Sequence, residues 1–285
     1  MFGFLNVYKP KGKTSHDVVA ALRRVTKVKQ IGHTGTLDPF AEGVLPICIG
    51  KATRLIEYLD DDKAYIGIIQ LGESTTTFDN EGEGVNFSDK IVTLDEIETV
   101  LNNFRGEILQ LPPIYSAIKV KGKKLYEYAR MGEEVEIQPR KVTISELKIL
   151  NYNQDKKQLE LYIACSKGTY IRSLANDIGE SLNVYGHLIK LTRVKAGLFE
   201  INKSVKLDKL QNLEQVNKNL ITPLDYLNYP KYELNSKELE LVSHGMEIKP
   251  DNELRNGIIV LVSSNNIAGI GELKNGKIKC KKVFI

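Results

Sequence analysis

The sequence predicts an α+β protein: a mixed, largely antiparallel sheet flanked by helices, then a small β-domain. Three observations carry this. Strand-like and helix-like patterns alternate irregularly, not as regular strand–helix units. The chain changes character across residues 205–230, becoming polar before a run of short apolar strands. Asn275-Gly276 lies between the last two of those strands and marks a tight hairpin. The expected division is a larger domain over residues 1–228 and a smaller one over 229–285, with no internal repeat.

The elements follow in order. Residues 15–27 read as a helix, with Ser15 as N-cap and Val18, Val19, Leu22 and Val25 on one face. "VLPICI" at 44–49 reads as a buried strand, "ATRLIEYL" after it as helical, and "AYIGIIQLG" at 64–72 as a second strand. A helix over 94–105 is signalled by a Thr93/Glu96 capping box, a stripe of Leu94, Ile97, Val100, Leu101 and Phe104, and Gly106 as its stop. "QLELYIACS" at 158–166 alternates Leu159, Leu161, Ile163 and Cys165 to one side, as a half-buried strand does. "YIRSLANDIGESL" turns helical, and "LDKLQNLEQVNKNLITPLDYL" reads as polar helix. Beyond it only short strands are expected: "GIIVLVS", "NIAGIGELK" and "KIKCKKVFI".

Composition excludes several classes. Hydrophobic residues make up 42% and charged residues 27%, an ordinary globular balance. No run approaches the roughly 18 apolar residues of a membrane span, and the N-terminus lacks the basic-then-apolar pattern of an export signal. Cys48, Cys165 and Cys280 are far apart and odd in number, so neither a disulfide framework nor a metal spacing is expected. The expectation is a cytoplasmic protein with no metal, no cofactor and no membrane partner. Net charge is only +4, but cations cluster. Lys9, Lys11, Lys13, Arg23, Arg24, Lys27 and Lys29 face one acid, Asp17, in the first 30 residues. Lys119, Lys121, Lys123, Lys124 and Arg130 surround Tyr126 and Tyr128, and five lysines lie at 274–282. Such clusters suit a phosphate backbone or are simply solvated surface.

"GHTGTLDPFAEGVL" at 32–45 raises the chemical question. Gly32, Gly35 and Gly43 permit close backbone approach or positive φ, and Pro39 pushes Asp38 to an extended conformation. Such a loop can project one carboxylate rigidly, or Asp38 can close an Asx-turn on a neighbouring amide. Other chemistries are poorly served. "CIGKAT" lacks the Ser/Thr and upstream glycine of a phosphate loop, and no G-x-S-x-G elbow occurs.

Five segments, in order, decide the reading: "NVYKPKGKTS", "GHTGTLDPFAEGVLPICIGKATR", "KAYIGIIQLGESTTTFD", "LPPIYSAIKVKGKKLYEYAR" and "CSKGTYIRSLANDIG". Together they resemble the TruB family of bacterial tRNA pseudouridine-55 synthases over residues 4–199. The resemblance implies a pseudouridine synthase fold with a PUA-like RNA-binding domain after it, and conversion of U55 in the T-loop of tRNA to pseudouridine. It implies a T-arm stem-loop partner and a monomer. By the same resemblance Asp38 falls on the nucleophile and Arg172 on its paired arginine. Tyr65 falls on the tyrosine stacking under the target base, and His33 on the histidine that fills the gap left in the RNA loop. Tyr170 and Leu191 fall on further pocket positions. Val194 departs from the family, where Thr is common.

These roles suit the chemistry. Turning uridine in place needs a nucleophile and an enclosed pocket, with no redox step. Attack at ribose C1′ and at base C6 are both open to a carboxylate. An adjacent arginine offsets the desolvation that would otherwise neutralise it. A base inside a folded loop must be flipped out, and Tyr65 offers a stacking face worth roughly 1–3 kcal/mol. From the residues alone, the alternatives are Tyr65 as a core aromatic, His33 as a local loop contact and Arg172 as a structural ion pair. The function alternatives are an RNA-binding or RNA-folding factor without chemistry, and a synthase with another RNA target.

Overall fold

The computed structural model describes residues 1–251 and 254–285. The chain opens with β1 (Gly3–Lys9), α1 (Ser15–Thr26), β2 (Ile31–His33), β3 (Glu42–Ile49), β4 (Lys63–Leu71), β5 (Glu73–Thr75), β6 (Gly84–Phe87) and α2 (Leu94–Leu101). It continues with β7 (Gly106–Gln110), β8 (Lys119–Val120), β9 (Lys123–Lys124), α3 (Leu125–Met131), β10 (Arg140–Asn153), β11 (Gln158–Cys165), α4 (Ile171–Ser181) and β12 (Gly186–Ala196). Then come β13 (Phe199–Glu200), β14 (Val205–Lys206), α5 (Leu213–Lys218), β15 (Lys231–Glu233), α6 (Ser236–Ser243), β16 (Gly257–Ser263), β17 (Asn266–Lys274) and β18 (Lys277–Val283).

A single large sheet in the order β14-β1-β3-β12-β4-β11-β10-β7 organises the larger body. Only β1–β14 and β12–β3 run parallel along that path. The expected α+β class with a mixed, largely antiparallel sheet is therefore the observed one. The β4–β11 pair follows from alternation: Leu159, Leu161 and Ile163 are fully buried, opposite Ile69, Gly67 and Tyr65.

Several local expectations need correction. The cap of α1 is Thr14, whose hydroxyl accepts from the Asp17 amide at 3.0 Å while Asp17 accepts from the Thr14 amide at 2.8 Å. Ser15 is buried and turned to another task, described below. "ATRLIEYL" forms 3₁₀ turns over Gly50–Tyr58. α2 has the expected Thr93/Glu96 box but ends at Leu101, with a 3₁₀ turn to Phe104 before Gly106 at φ +86°. Leu94, expected in its stripe, is 52% exposed. The polar stretch after 206 is broken into short turns around α5, because Asn212 caps one turn and Pro223 starts another.

In the smaller sheet, β15-β16-β17-β18, Asn275 and Gly276 both have positive φ, as a primed hairpin turn requires. That region is not strands alone, since α6 is capped by an Asn235/Glu238 box. Nor does it stand apart from the larger body. Val260, Val262, Ile267 and Ile270 share one buried cluster with Phe4, Val44, Leu55 and Phe199.

Candidate active site

The loop bearing Asp38 is fastened at almost every peptide. Fully buried Arg193, on β12, donates from Nη2 to Gly35 O at 3.0 Å, from Nη1 to Thr36 O at 3.3 Å and from Nε to Val44 O at 2.7 Å. Ser15 Oγ accepts from the Leu37 amide at 2.8 Å and donates to Leu37 O at 3.1 Å. Asp38 O accepts from Ala41, and Pro39 O from Gly12. Lys9, fully buried, donates to Pro39 O at 3.3 Å and to Pro10 O and Lys13 O. Lys9 thus leaves the group of surface cations in which its sequence neighbourhood placed it. Of the three loop glycines, Gly43 is the one with positive φ, and a Cβ there would lie 2.3 Å from Arg193 O.

Asp38 closes no Asx-turn. Its Oδ2 lies 3.0 Å from Nε of Arg172, the second residue of α4. Arg172 is almost fully buried and uses all three nitrogens. Nη1 sits 3.3 Å from Asp79 Oδ2 and 3.2 Å from Thr77 O, and Nη2 donates to Tyr115 O at 3.1 Å. Asp79 is itself 3% exposed, and accepts from Thr77 Oγ1 and the Glu81 amide. The guanidinium is therefore clamped between a buried carboxylate and one that faces a cavity.

That cavity, about 520 Å³, is lined by Asp38, Tyr65, Tyr170, Arg172 and Leu191, together with Lys63, Tyr115 and Tyr126. Five of the six residues singled out in the sequence thus meet in one cleft. His33 is the exception: it lies on β2 just before Thr34, where the lining begins. Its Nδ1 has no partner among the described residues, and burial and then Arg193 depress its pKa, so the imidazole is neutral. Tyr65 is buried and pairs across the sheet with Arg193; burial raises its phenol. Burial, chiefly, also raises the Asp38 carboxyl; Arg172 opposes this and Asp79 adds to it. The side chain keeps 36% of its exposure toward the cleft, which limits the rise. Lys63, half-buried at the wall, is lowered by burial and by Arg193.

A desolvated but ionisable carboxylate on a rigid loop, oriented by a planar cation beside an aromatic floor, is equipped for nucleophilic attack on a flat ring or its sugar. The profile described as TruB family pseudouridylate synthase (N terminal domain) matches residues 23–171, more than half of the chain. The chain belongs to the TruB family. A tRNA pseudouridylate synthase B C-terminal domain profile matches residues 172–227. A tRNA pseudouridine synthase B from Caldanaerobacter subterraneus is 44% identical, over 99% of each chain. One from Clostridium novyi is 41% identical over the whole of both. Among solved structures, a chain of an H/ACA RNP bound to a substrate RNA containing 2'-deoxyuridine aligns with TM-score 0.74. It is 23% identical, over 100% of this chain and 85% of the other, a likeness of fold.

Sequence reasoning gave no task to Asp79 or Arg193, and gave Lys9 and Ser15 other tasks, a surface cation and a helix cap. Asp79 ends the Thr-rich run "STTTFD". Arg193 falls in "KLTRVK", between two lysines, on the strand that lies between β3 and β4. Lys9, Ser15 and Asp79 lie inside the five segments, whereas Arg193 lies beyond the last of them, which ends at Gly179.

Proposed function

We propose that this chain isomerises a tRNA uridine to pseudouridine, at position 55 of the T-loop, acting in the cytoplasm as a monomer on the T-arm stem-loop. The observation that carries this reading is the Asp38–Arg172 contact on the wall of the cleft, in a chain of this family. The chemistry balances without a co-reactant. The N1–C1′ bond breaks, C5 bonds to C1′, the proton on C5 leaves and N1 takes one up. Asp38 is the nucleophile, and Arg172 keeps it ionised and aimed. Tyr65 stacks against the flipped base, Tyr170 and Leu191 close the pocket, and neutral His33 fills the space the base vacates. Purified protein incubated with unmodified tRNA, followed by mapping of pseudouridine, tests the proposal. Product at position 55 is expected, also on an isolated T-arm stem-loop; binding without product would leave an RNA-binding factor.

Residues 229–285 we assign to RNA affinity and not to the chemical step. The lysine cluster is less available than its sequence suggests. Lys274 and Lys281 pair with Glu272, and Lys282 pairs with Glu57. Lys277 and Lys279 have no ion pair among the described residues. Each lysine that contacts a phosphate steepens log affinity against log salt by roughly 0.7–0.9. The Lys277→Gln/Lys279→Gln double variant is therefore expected to weaken tRNA binding and flatten that slope, with an unchanged single-turnover rate. A slope equal to wild type would remove these lysines from the interface.

A further inference from the structure

We infer that Gln110 is a positioning residue for Arg172, acting by fastening the edge strand β7 to the first turn of α4. The inference rests on the role proposed above for Arg172. β7 lies at the end of the large sheet and, among the described residues, pairs only with β10. Its last residue, Gln110, is 2% exposed and spends both ends of its amide on one residue. Nε2 donates to Tyr170 O at 3.0 Å, and Oε1 accepts from the Tyr170 amide at 2.8 Å. Tyr170 is the N-cap of α4 and has no side-chain cap bond of its own. A side chain 60 residues away thus holds the peptide from which the helix starts, two residues before Arg172.

Two further bonds join the same places. Ser173 Oγ donates to Leu111 O at 2.9 Å, and Arg172 Nη2 donates to Tyr115 O. Between them Pro112 and Pro113 stiffen the crossing. The segment leaving β7 and the start of α4 are therefore one stitched unit, and the Arg172 fork is one of the stitches. Without the Gln110 amide, the Tyr170 amide loses this partner in a half-buried place, and Tyr170 O is left with the Leu174 amide at 3.1 Å. Because Arg172 is two residues into that helix start, any re-seating of it shifts the guanidinium relative to Asp38. A misplacement of about 1 Å between reacting groups can cost about 10²-fold in rate.

The test uses the full chain and an unmodified tRNA transcript carrying tritium at uracil C5, whose release reports loss of the C5 hydrogen. Gln110→Met keeps the volume and removes the amide. A fall of about 10²-fold in the single-turnover rate at saturating enzyme is expected, with transcript affinity unchanged. In an Arg172→Lys background the same substitution should add little, since residues acting through one another are not additive. An unchanged rate, or a full multiplicative loss in the Lys background, overturns the inference. Should Gln110→Met not fold, Gln110→Glu enters the same cycle, because it keeps an acceptor for the Tyr170 amide but cannot donate. Normal turnover by Arg172→Lys alone would instead sink the reading of Arg172. Normal turnover confined to the Gln110 variants leaves that reading intact.

Discussion

Asp38→Asn is expected to yield a folded protein that binds tRNA and forms no pseudouridine, a loss on the order of 10⁴-fold or more. The substitution removes the nucleophilic charge at nearly constant volume. The loop itself is held through backbone groups of residues 35–39, by Arg193, Ser15, Ala41, Gly12 and Lys9, none of which touches the Asp38 side chain in doing so. Its shape should survive. Removing an anion from a cleft proposed to face a polyanionic RNA should leave RNA affinity equal or higher. Stability has a definite sign. Asp38 binds its proton more tightly in the folded protein than in the unfolded chain, because burial raises it. Ionisation therefore weakens folding as pH rises from the ordinary carboxylate pKa, about 3.9, through the raised one. Above that window the Asn variant lacks this penalty, so its melting temperature at neutral pH should equal or exceed wild type. In the wild type, kcat/KM should fall on acidification along a limb whose midpoint lies above about 3.9. Near-normal product from Asp38→Asn would remove Asp38 from the chemistry.

Arg172→Lys should cost about 10²-fold or more in the single-turnover rate although the charge is kept. The guanidinium meets Asp38 with Nε, Asp79 and Thr77 O with Nη1, and Tyr115 O with Nη2. One ammonium cannot reach both carboxylates and both carbonyls. Asp79, 3% exposed, is the deeper of the two and should capture it, leaving Asp38 with weaker compensation. The acid limb of kcat/KM should then move to higher pH, a shift that a general loosening of the fold would not produce. An unmoved limb with a wild-type rate would reduce Arg172 to a generic positive charge.

How much was legible beforehand depended on how each residue spends its polarity. Asp38, Tyr65 and Arg172 lie in segments whose glycines, prolines and aromatics are distinctive, and they meet as expected. The strand β11 was readable because its alternation is unbroken, whereas β10 was not. Register shifts between Ile144 and Glu146 and between Ile149 and Asn151 change the phase of its apolar positions. The central strand β12 was hidden because Arg193 and His187 are buried within it. Lys9 and Arg193 show the deeper difficulty. Each satisfies backbone carbonyls that are distant or irregular in sequence, and a side chain used in that way is indistinguishable in one dimension from one in water.

The apolar cluster joining the small sheet to the large one has a mechanical consequence. Val260, Val262, Ile267 and Ile270 are filled in on their far side by Phe4, Leu55 and Phe199, and Arg54 donates to Val283 O across the same seam. Neither sheet can let go of the other without wetting side chains that belong to both. The seam therefore acts as a weld, with no hinge at it: a bound nucleic acid pulling on the C-terminal sheet would load β1 and β3 directly, and heat would melt the two sheets in one cooperative step.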